Sequence, residues 1–127
     1  MIATPIRDTM KVREATADDQ EAIQEIAKRS LQASYSLSPQ TIESAVRQWY
    51  DPDEFEAKVT GDEVLIFVAE EEGEPVAFTE NALLEEGEAD VLWLHVHPDY
   101  RGQGIGSELF ETTRSRLEDY GVTRLHG

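Results

Sequence analysis

Three glycines beside an arginine form the stretch of this chain that is best suited to chemistry. Arg101 is followed by Gly102, Gly104 and Gly106 at alternate positions, and a helical apolar pattern begins among them. Glycine has no Cβ, so an anion can approach its peptide N–H groups. The first turn of a helix adds unpaired N–H groups and positive potential. Because the Arg101 guanidinium also suits phosphate oxygens, the stretch predicts a site for a phosphate-bearing ligand.

Two common phosphate-binding motifs do not match these residues. The dinucleotide fingerprint G-x-G-x-x-G requires a glycine at position 107, where the chain has Ser107, and the G-K-[ST] of a P-loop is absent. A tight turn that uses glycine for packing would explain one glycine, but not three together with an arginine. The spacing therefore favours a different kind of phosphate site.

The residues just before the glycines contain the pattern H-x-H-x-D, formed by His95, His97 and Asp99. Metallo-hydrolases use such a spacing to bring two histidines and an aspartate onto zinc. A complete site would need further ligands, and His126 is the only other histidine of the chain. A zinc hydrolase stays open as an alternative, while our expectation is that no metal is bound.

The composition excludes several partners and several classes of enzyme. The net charge is −16, from 27 acidic and 11 basic residues, so nucleic acid and anionic membranes would be repelled. The absence of cysteine excludes disulfides and a Cys nucleophile, and no apolar run approaches the roughly 20 residues that span a bilayer. We expect a cytoplasmic protein. Strong acidity with few lysines also resembles proteins of salt-loving archaea, which predicts a halophilic fold.

The elements that must position these residues follow from periodicity and capping signals. Residues 1–10 are expected to be an N-terminal extension, and residues 11–127 a single domain with no internal linker. The order β-α-α-β-β-β-α-β predicts an α+β domain that ends in a parallel β-α-β unit. The predicted strands are 11–15, 63–70, 75–85, 89–96 and 122–126, and the predicted helices are 16–31, 39–50, one or two turns after Pro52, and 104–120.

In this order of elements the chain resembles the GCN5-related N-acetyltransferase (GNAT) family. Arg101, Gly104 and Gly106 match its acetyl-CoA signature Q/R-x-x-G-x-G/A, and residues 94–110 match its motif A throughout. Residues 11–23 also look like the first strand and helix of the family. The resemblance implies a three-layer fold with a mostly antiparallel sheet, acetyl-CoA as co-substrate, and transfer of its acetyl group to a primary amine by direct attack.

The resemblance also implies how acetyl-CoA would be bound. Backbone groups of one strand would pair with the pantetheine arm, and amides of the glycine turn would hold the pyrophosphate. A bulge in the same strand would aim an N–H, assigned here to Val96, at the thioester oxygen. The residues assigned to this binding are Leu94, His95, Val96, Arg101, Gly102, Gln103, Gly104, Ile105, Gly106 and Ser107.

The attacking amine must lose a proton, and three residues are candidate bases. Asp90 lies where many family members have a glutamate, although its side chain is one methylene shorter. Glu80, on the neighbouring strand, and His95 are the competitors. Each of the three also has a structural interpretation: Asp90 as a solvated residue at the start of its strand, Glu80 as an outward-facing strand residue, and His95 as a core histidine. The walls of the acceptor pocket are assigned to Tyr35, Trp49 and Tyr50, which could equally be core aromatics.

The chain departs from the family pattern at its C-terminus. Members continue with a helix carrying N-x-x-A-x-x-x-Y, whose tyrosine protonates the leaving thiolate, and this pattern is absent here. We therefore expect a form of the domain that is incomplete at its C-terminus, and a homo-oligomer, because the missing helix would leave an apolar face bare. A non-catalytic acyl-CoA-binding or regulatory module stays open as the alternative function.

Overall fold

The structure is a computed structural model that describes residues 10–34 and 36–127. Within these two ranges, five strands form one sheet whose spatial order, β1-β2-β3-β4-β5, is also their order in the chain. All neighbouring pairs are antiparallel except β4 and β5, which are parallel. This confirms the predicted α+β fold and its final parallel unit. The strands are β1 (Met10–Glu14), β2 (Val64–Glu71), β3 (Glu74–Leu83), β4 (Glu88–Val96) and β5 (Arg124–His126).

In the described part of the chain four helices pack on this sheet, and local capping chemistry begins three of them. The Ser38 side chain accepts a hydrogen bond from the Thr41 N–H at the start of α2. At the start of α3, the Asp51 side chain accepts hydrogen bonds from the N–H groups of Asp53 and Glu54. The predicted capping box of Thr16 and Asp19 exists, but it opens a 3-10 turn that leads into α1. The helices are α1 (Gln20–Ser34), α2 (Pro39–Trp49), α3 (Pro52–Thr60) and α4 (Ile105–Asp119).

Several element boundaries differ from the sequence prediction; α1 begins at Gln20 rather than at residue 16, and β5 begins at Arg124 rather than at residue 122. Two further differences concern the N-terminal extension and α3. Met10 belongs to β1, where it pairs with Glu71, so the strand begins inside the expected extension. The rest of that extension, residues 1–9, lies outside the described residues. The segment after Asp51 forms a nine-residue helix, α3, which is longer than one or two turns. Within the described part of the chain, no helix is long and apolar enough to cross a membrane.

The sheet has helices on both faces, because side chains alternate between its two sides. On one face, β2 and β3 pack against α1, α2 and α3, and Phe78 and Ile23 are fully buried there. On the other face, the strands pack against α4 through Phe67 and Leu109. Burying each such side chain contributes about 1.5–3 kcal/mol, so both helical layers are held firmly against the sheet. The three-layer architecture is thereby accounted for.

Candidate functional site

The edge of β4 that faces β5 is open over much of its length. β5 pairs only with Glu88, Ala89 and Asp90, so residues 91–96 have no strand beside them on this side in the described part of the chain. The His97 N–H donates to the Val76 carbonyl at 2.8 Å, which fixes the alternation of hydrogen bonding between β3 and β4. By that alternation the peptide groups of Leu94 and Val96 face the open edge.

His95 does not fit the backbone role assigned to it from sequence. It lies opposite Phe78 on β3, in the register that turns its peptide groups toward that strand and away from the open edge. An extended ligand beside β4 would therefore meet the peptide groups on either side of His95. Only Leu94 and Val96, of the three residues assigned to the pantetheine arm, offer free peptide groups there.

A bulge interrupts the pairing of β3 and β4. Glu80 is opposite Trp93 while Asn81 is opposite Val91, which leaves Leu92 unpaired. The sequence interpretation assigned the N–H aimed by a bulge to Val96, but Val96 lies in regular register opposite Ala77. The register therefore places the bulge at Leu92 and not beside Val96. The first N–H after the bulge that faces the open edge is the one of Leu94.

A cleft of about 520 Å³ adjoins the open edge of β4 and the glycine turn. Gln103 belongs to the turn but does not line the cleft. Four lining residues, on α1, β4 and the turn, were not singled out from the sequence: Ser30, Ser34, Trp93 and Tyr100. The cleft brings together most of the residues assigned to acetyl-CoA, namely Leu94, His95, Val96, Arg101, Gly102, Gly104, Ile105, Gly106 and Ser107.

Glycine occupies the three positions of the turn for different structural reasons. Gly102 and Gly104 have φ angles of +77° and +81°, which favour glycine, and a Cβ on either would meet nothing within 4 Å. Gly106 has an ordinary φ, but its Cβ would lie 3.4 Å from Val96 Cγ2. The first two glycines therefore shape the turn and keep its peptide groups accessible. Gly106 allows α4 to approach β4 closely.

The first turn of α4 presents peptide N–H groups that the helix itself cannot pair. Gly104 is its N-cap and has no side chain to accept from them. The N–H groups of Ile105, Gly106 and Ser107 therefore lie at the positive end of the helix dipole, beside the cleft. Such a helix N-terminus is suited to phosphate oxygens.

Arg101 extends across the mouth of the cleft to α1. Its Nη2 donates to the Ser30 carbonyl at 3.2 Å, to Ser30 Oγ at 3.0 Å and to Ser34 Oγ at 3.0 Å. Ser30 and Ser34 are four residues apart, so they lie on the same face of the helix. The guanidinium is thereby held at the rim, with positive charge close to the helix N-terminus of α4.

His95 is a buried neutral ring rather than an available base. Its side chain is only 6% exposed, its Nδ1 lies 2.9 Å from Ser30 Oγ, and its ring stacks on Trp93 with centroids 5.0 Å apart. Burial, and then the charge of Arg101, lowers the pKa of His95 to about 4, against the smaller opposing influence of Glu80. An imidazole so reluctant to accept a proton is a poor candidate for the base.

A second cleft of about 400 Å³ lies on the other side of Trp93. Trp93 lines both clefts, and its ring lies 5.5 Å from the ring of Trp49. Trp49 is 42% exposed, whereas Tyr50 is a core residue that reaches the cleft. Tyr35, the third residue assigned to the acceptor pocket, lies outside the described residues. The second cleft is lined by Gln48, Trp49, Tyr50, Glu54, Lys58, Glu80 and Trp93.

Glu80 is a buried carboxylate held from two sides. The residue is 4% exposed, the Tyr50 hydroxyl donates to Oε1 at 2.8 Å, and Lys58 Nζ lies 3.0 Å from Oε2. Burial, with the neighbouring charge of Glu80, raises the pKa of Tyr50, so this phenol keeps its proton and remains a donor. Glu80 is therefore fixed in position at the wall of the second cleft, and the interpretation as an outward-facing residue is wrong.

Asp90 is placed less favourably than Glu80. It lies at the start of β4, between Ala82 of β3 and His126 of β5 in the register, and it lines neither of the two clefts described above. Lys58 of α3 was not singled out from the sequence, because no local signal connects it to Glu80. Glu80 is buried, fixed in position and adjacent to a cleft. His95 shares these properties, but its lowered pKa makes it a poor proton acceptor, so Glu80 is the best placed of the three candidate bases.

The H-x-H-x-D pattern does not converge on one point. His95 Nδ1 is bonded to Ser30, whereas His97 Nδ1 accepts the Asp99 N–H at 3.2 Å and caps a short 3-10 turn. His126 Nε2 lies 2.9 Å from Glu88. Among the described residues, no group of three or more potential ligands of the His, Asp or Glu type is arranged to hold a metal ion. The pattern is explained by strand and turn geometry.

The fold and the site together define a class of α+β domain in which an open strand edge leads to a helix N-terminus suited to phosphate. Residues 21–126 match the family described as the acetyltransferase (GNAT) family. The chain belongs to that family, as the resemblance of its motif A implied.

Individual proteins support the same relationship. Acetyltransferases of Pectobacterium atrosepticum and Sodalis glossinidius are each 33% identical to this chain over 82 residues, or 64% of this chain. The chain spans 57% of the length of these relatives. The crystal structure of the PaiA N-acetyltransferase from Thermoplasma acidophilum, in complex with coenzyme A, superposes with a TM-score of 0.81 at 22% identity. That match covers 89% of this chain and 74% of the other.

Proposed function

We propose that this chain is an acetyl-CoA-dependent N-acetyltransferase that acts on a primary amine. The observation that carries the proposal is the path along β4. The open edge at Val96 and Leu94 leads from the glycine turn to the bulge at Leu92, and Trp93 beside the bulge lines the cleft that contains Glu80. One strand therefore connects a phosphate site to a buried carboxylate.

The residues around the first cleft fit acetyl-CoA. The pyrophosphate would accept hydrogen bonds from the turn between Gly102 and Ser107, where a Cβ at Gly104 would meet open space. Arg101 would supply positive charge at the rim. The amides of the pantetheine arm would pair with the peptide groups of Leu94 and Val96, as an added strand pairs with a sheet edge. An acidic protein thus places one of its few positive side chains where an anionic ligand would lie.

The chemistry assigns roles to three residues near the bulge. Acetyl-CoA supplies a thioester whose carbonyl carbon an amine can attack. The Leu94 N–H would donate to the thioester oxygen as negative charge develops there, a contribution of several kcal/mol in comparable sites. Glu80 would accept the proton of the incoming ammonium, directly or through a water molecule, while the Tyr50 hydroxyl holds its carboxylate in place.

Release of CoA thiol from acetyl-CoA, measured across a panel of primary amines, tests this proposal. We expect turnover with at least one amine, and we expect Glu80→Gln to lower kcat by about 100-fold or more, as loss of a general base does. The variant should still bind CoA, because Glu80 does not line the first cleft. Calorimetric binding of acetyl-CoA without thiol release for any amine would instead favour the non-catalytic acyl-CoA-binding module.

A further inference from the structure

A lysine amine already lies in the second cleft, beside the candidate base. Lys58 Nζ is 3.0 Å from Glu80 Oε2 and 4.9 Å from the centroid of the Tyr50 ring. It also donates to the Trp49 carbonyl at 3.4 Å. The Lys58 side chain is 25% exposed, so part of it remains open to the cleft that it lines. These contacts are the ones that an incoming primary ammonium would make at the same place.

The other two lysines of the chain are in different surroundings. Lys28 forms an ion pair with Glu25 of α1, at 3.1 Å and three residues away, and lines a smaller cleft between α1 and α2. Lys11 is an exposed residue of β1. Neither lines the first cleft or the second. The chain therefore contains its own controls for any reaction that depends on the second cleft.

The register places the Lys58 amine close to the bulge of β4. Glu80 and Trp93 are directly opposite each other on neighbouring strands, a position in which Cβ atoms are about 4.5–5.5 Å apart. Lys58 Nζ is in hydrogen-bond contact with the Glu80 carboxylate, and its stem consists of four flexible methylenes. A change of side-chain rotamer would move Nζ along Trp93 toward Leu94, the residue proposed to bind the thioester oxygen.

We propose that Lys58 is a site of intramolecular self-acetylation, an inference that depends on the proposed function. The Lys58 ammonium gives a proton to the Glu80 carboxylate, and its nitrogen attacks the carbonyl carbon of acetyl-CoA. A C–N bond forms, the C–S bond breaks, and the CoA thiolate leaves and takes up a proton. Overall, one ammonium and one thioester give one amide, CoA thiol and one proton.

Self-acetylation would change the charge of the second cleft. Among the described residues, the charged side chains that line it belong to Glu54, Glu80 and Lys58, and acetylation neutralises the last of these. Glu80 would keep its hydrogen bond from Tyr50 but lose its ion pair. The cleft would then offer an unpaired carboxylate between aromatic rings, which favours cationic amines from solution. Acetylation of Lys58 would therefore change which acceptor amine binds in the second cleft.

Mass spectrometry of the purified full chain after incubation with acetyl-CoA tests the inference. We expect one acetyl group at Lys58, added at a first-order rate that does not change when the protein is diluted. Lys28 and Lys11 should react much more slowly. Lys58→Arg should remove the modification, whereas the matched variant Lys28→Arg should leave it unchanged. Glu80→Gln should slow it by about 100-fold or more, with circular dichroism confirming that this variant is folded.

Acetyl phosphate, which has no pantetheine arm, serves as the donor control and should show no preference for Lys58. Equal rates at all three lysines with acetyl-CoA, or a rate proportional to protein concentration, would overturn the inference. Unmodified Lys58 in a protein that binds acetyl-CoA and acetylates external amines would overturn it while the proposed function stands. Absence of acetyl-CoA binding would overturn both.

Discussion

Gly104 is the residue at which the phosphate site can be tested with the fewest side effects. Its φ of +81° lies in the left-handed region, and a Cβ built on it meets nothing within 4 Å. Gly104→Ala therefore adds no steric clash within the protein. The backbone term alone predicts a loss of about 1–2 kcal/mol in the free energy of unfolding, which is the usual cost of a left-handed residue with a Cβ.

The same substitution should weaken binding of acetyl-CoA by a second, separate effect. Gly104 lines the cleft, so the added methyl group would occupy space that the proposed function gives to the ligand. If it displaces one hydrogen bond between a peptide N–H and a phosphate oxygen, about 1.5–3 kcal/mol of binding free energy is lost. That loss corresponds to about a 10- to 150-fold increase in Kd.

Gly73 provides a matched control for the backbone effect. Its φ is +86°, a Cβ there also meets nothing within 4 Å, and it lies in the β2–β3 hairpin, away from the cleft. Gly73→Ala should lower the urea midpoint about as much as Gly104→Ala, but leave the Kd for acetyl-CoA in calorimetry unchanged. Equal Kd values for Gly104→Ala and the unmodified protein would refute the assignment of the glycine turn to phosphate.

Two further predictions concern stability. His95 has a lowered pKa in the folded state, so the unfolded chain binds the proton first on acidification, and stability falls from about pH 6.5 down to about pH 4. That interval is equivalent to about 3 kcal/mol, and His95→Gln should flatten the decline in urea unfolding measured across it. The net charge of −16 predicts that molar KCl raises the melting temperature by screening self-repulsion, and equal melting temperatures in dilute buffer and molar KCl would contradict a halophilic fold.

Local signals explain why so much of the fold could be predicted from the sequence. Ser38 before Pro39 marks the start of α2, and Gly121, with a φ of +87°, lies just after α4 as expected for a C-terminal cap. The two-residue turn at Glu72 and Gly73 has positive φ at both positions, which matches the twist of an antiparallel hairpin. Each of these signals involves residues within a few positions of one another.

The contacts that define the site depend on residues far apart in the chain. Arg101 reaches Ser30, 71 positions earlier, and the Tyr50 hydroxyl reaches Glu80, 30 positions later. No periodicity or cap relates such pairs, since they meet only after the helices have packed on the sheet. The sequence could therefore assign phosphate binding to the glycine turn, but it could not choose among Asp90, Glu80 and His95.

The bulge at Leu92 could not be located from the sequence either, yet it determines where the first cleft lies relative to the second. Side chains and peptide groups both alternate along a strand, so one extra residue changes which of them face the helices and which face the edge. After the bulge, Trp93 shares a face with Glu80, while the peptide groups of Leu94 remain at the open edge. Because of this single insertion, a ligand paired with the edge of β4 would have its reactive end beside the cleft that holds the carboxylate.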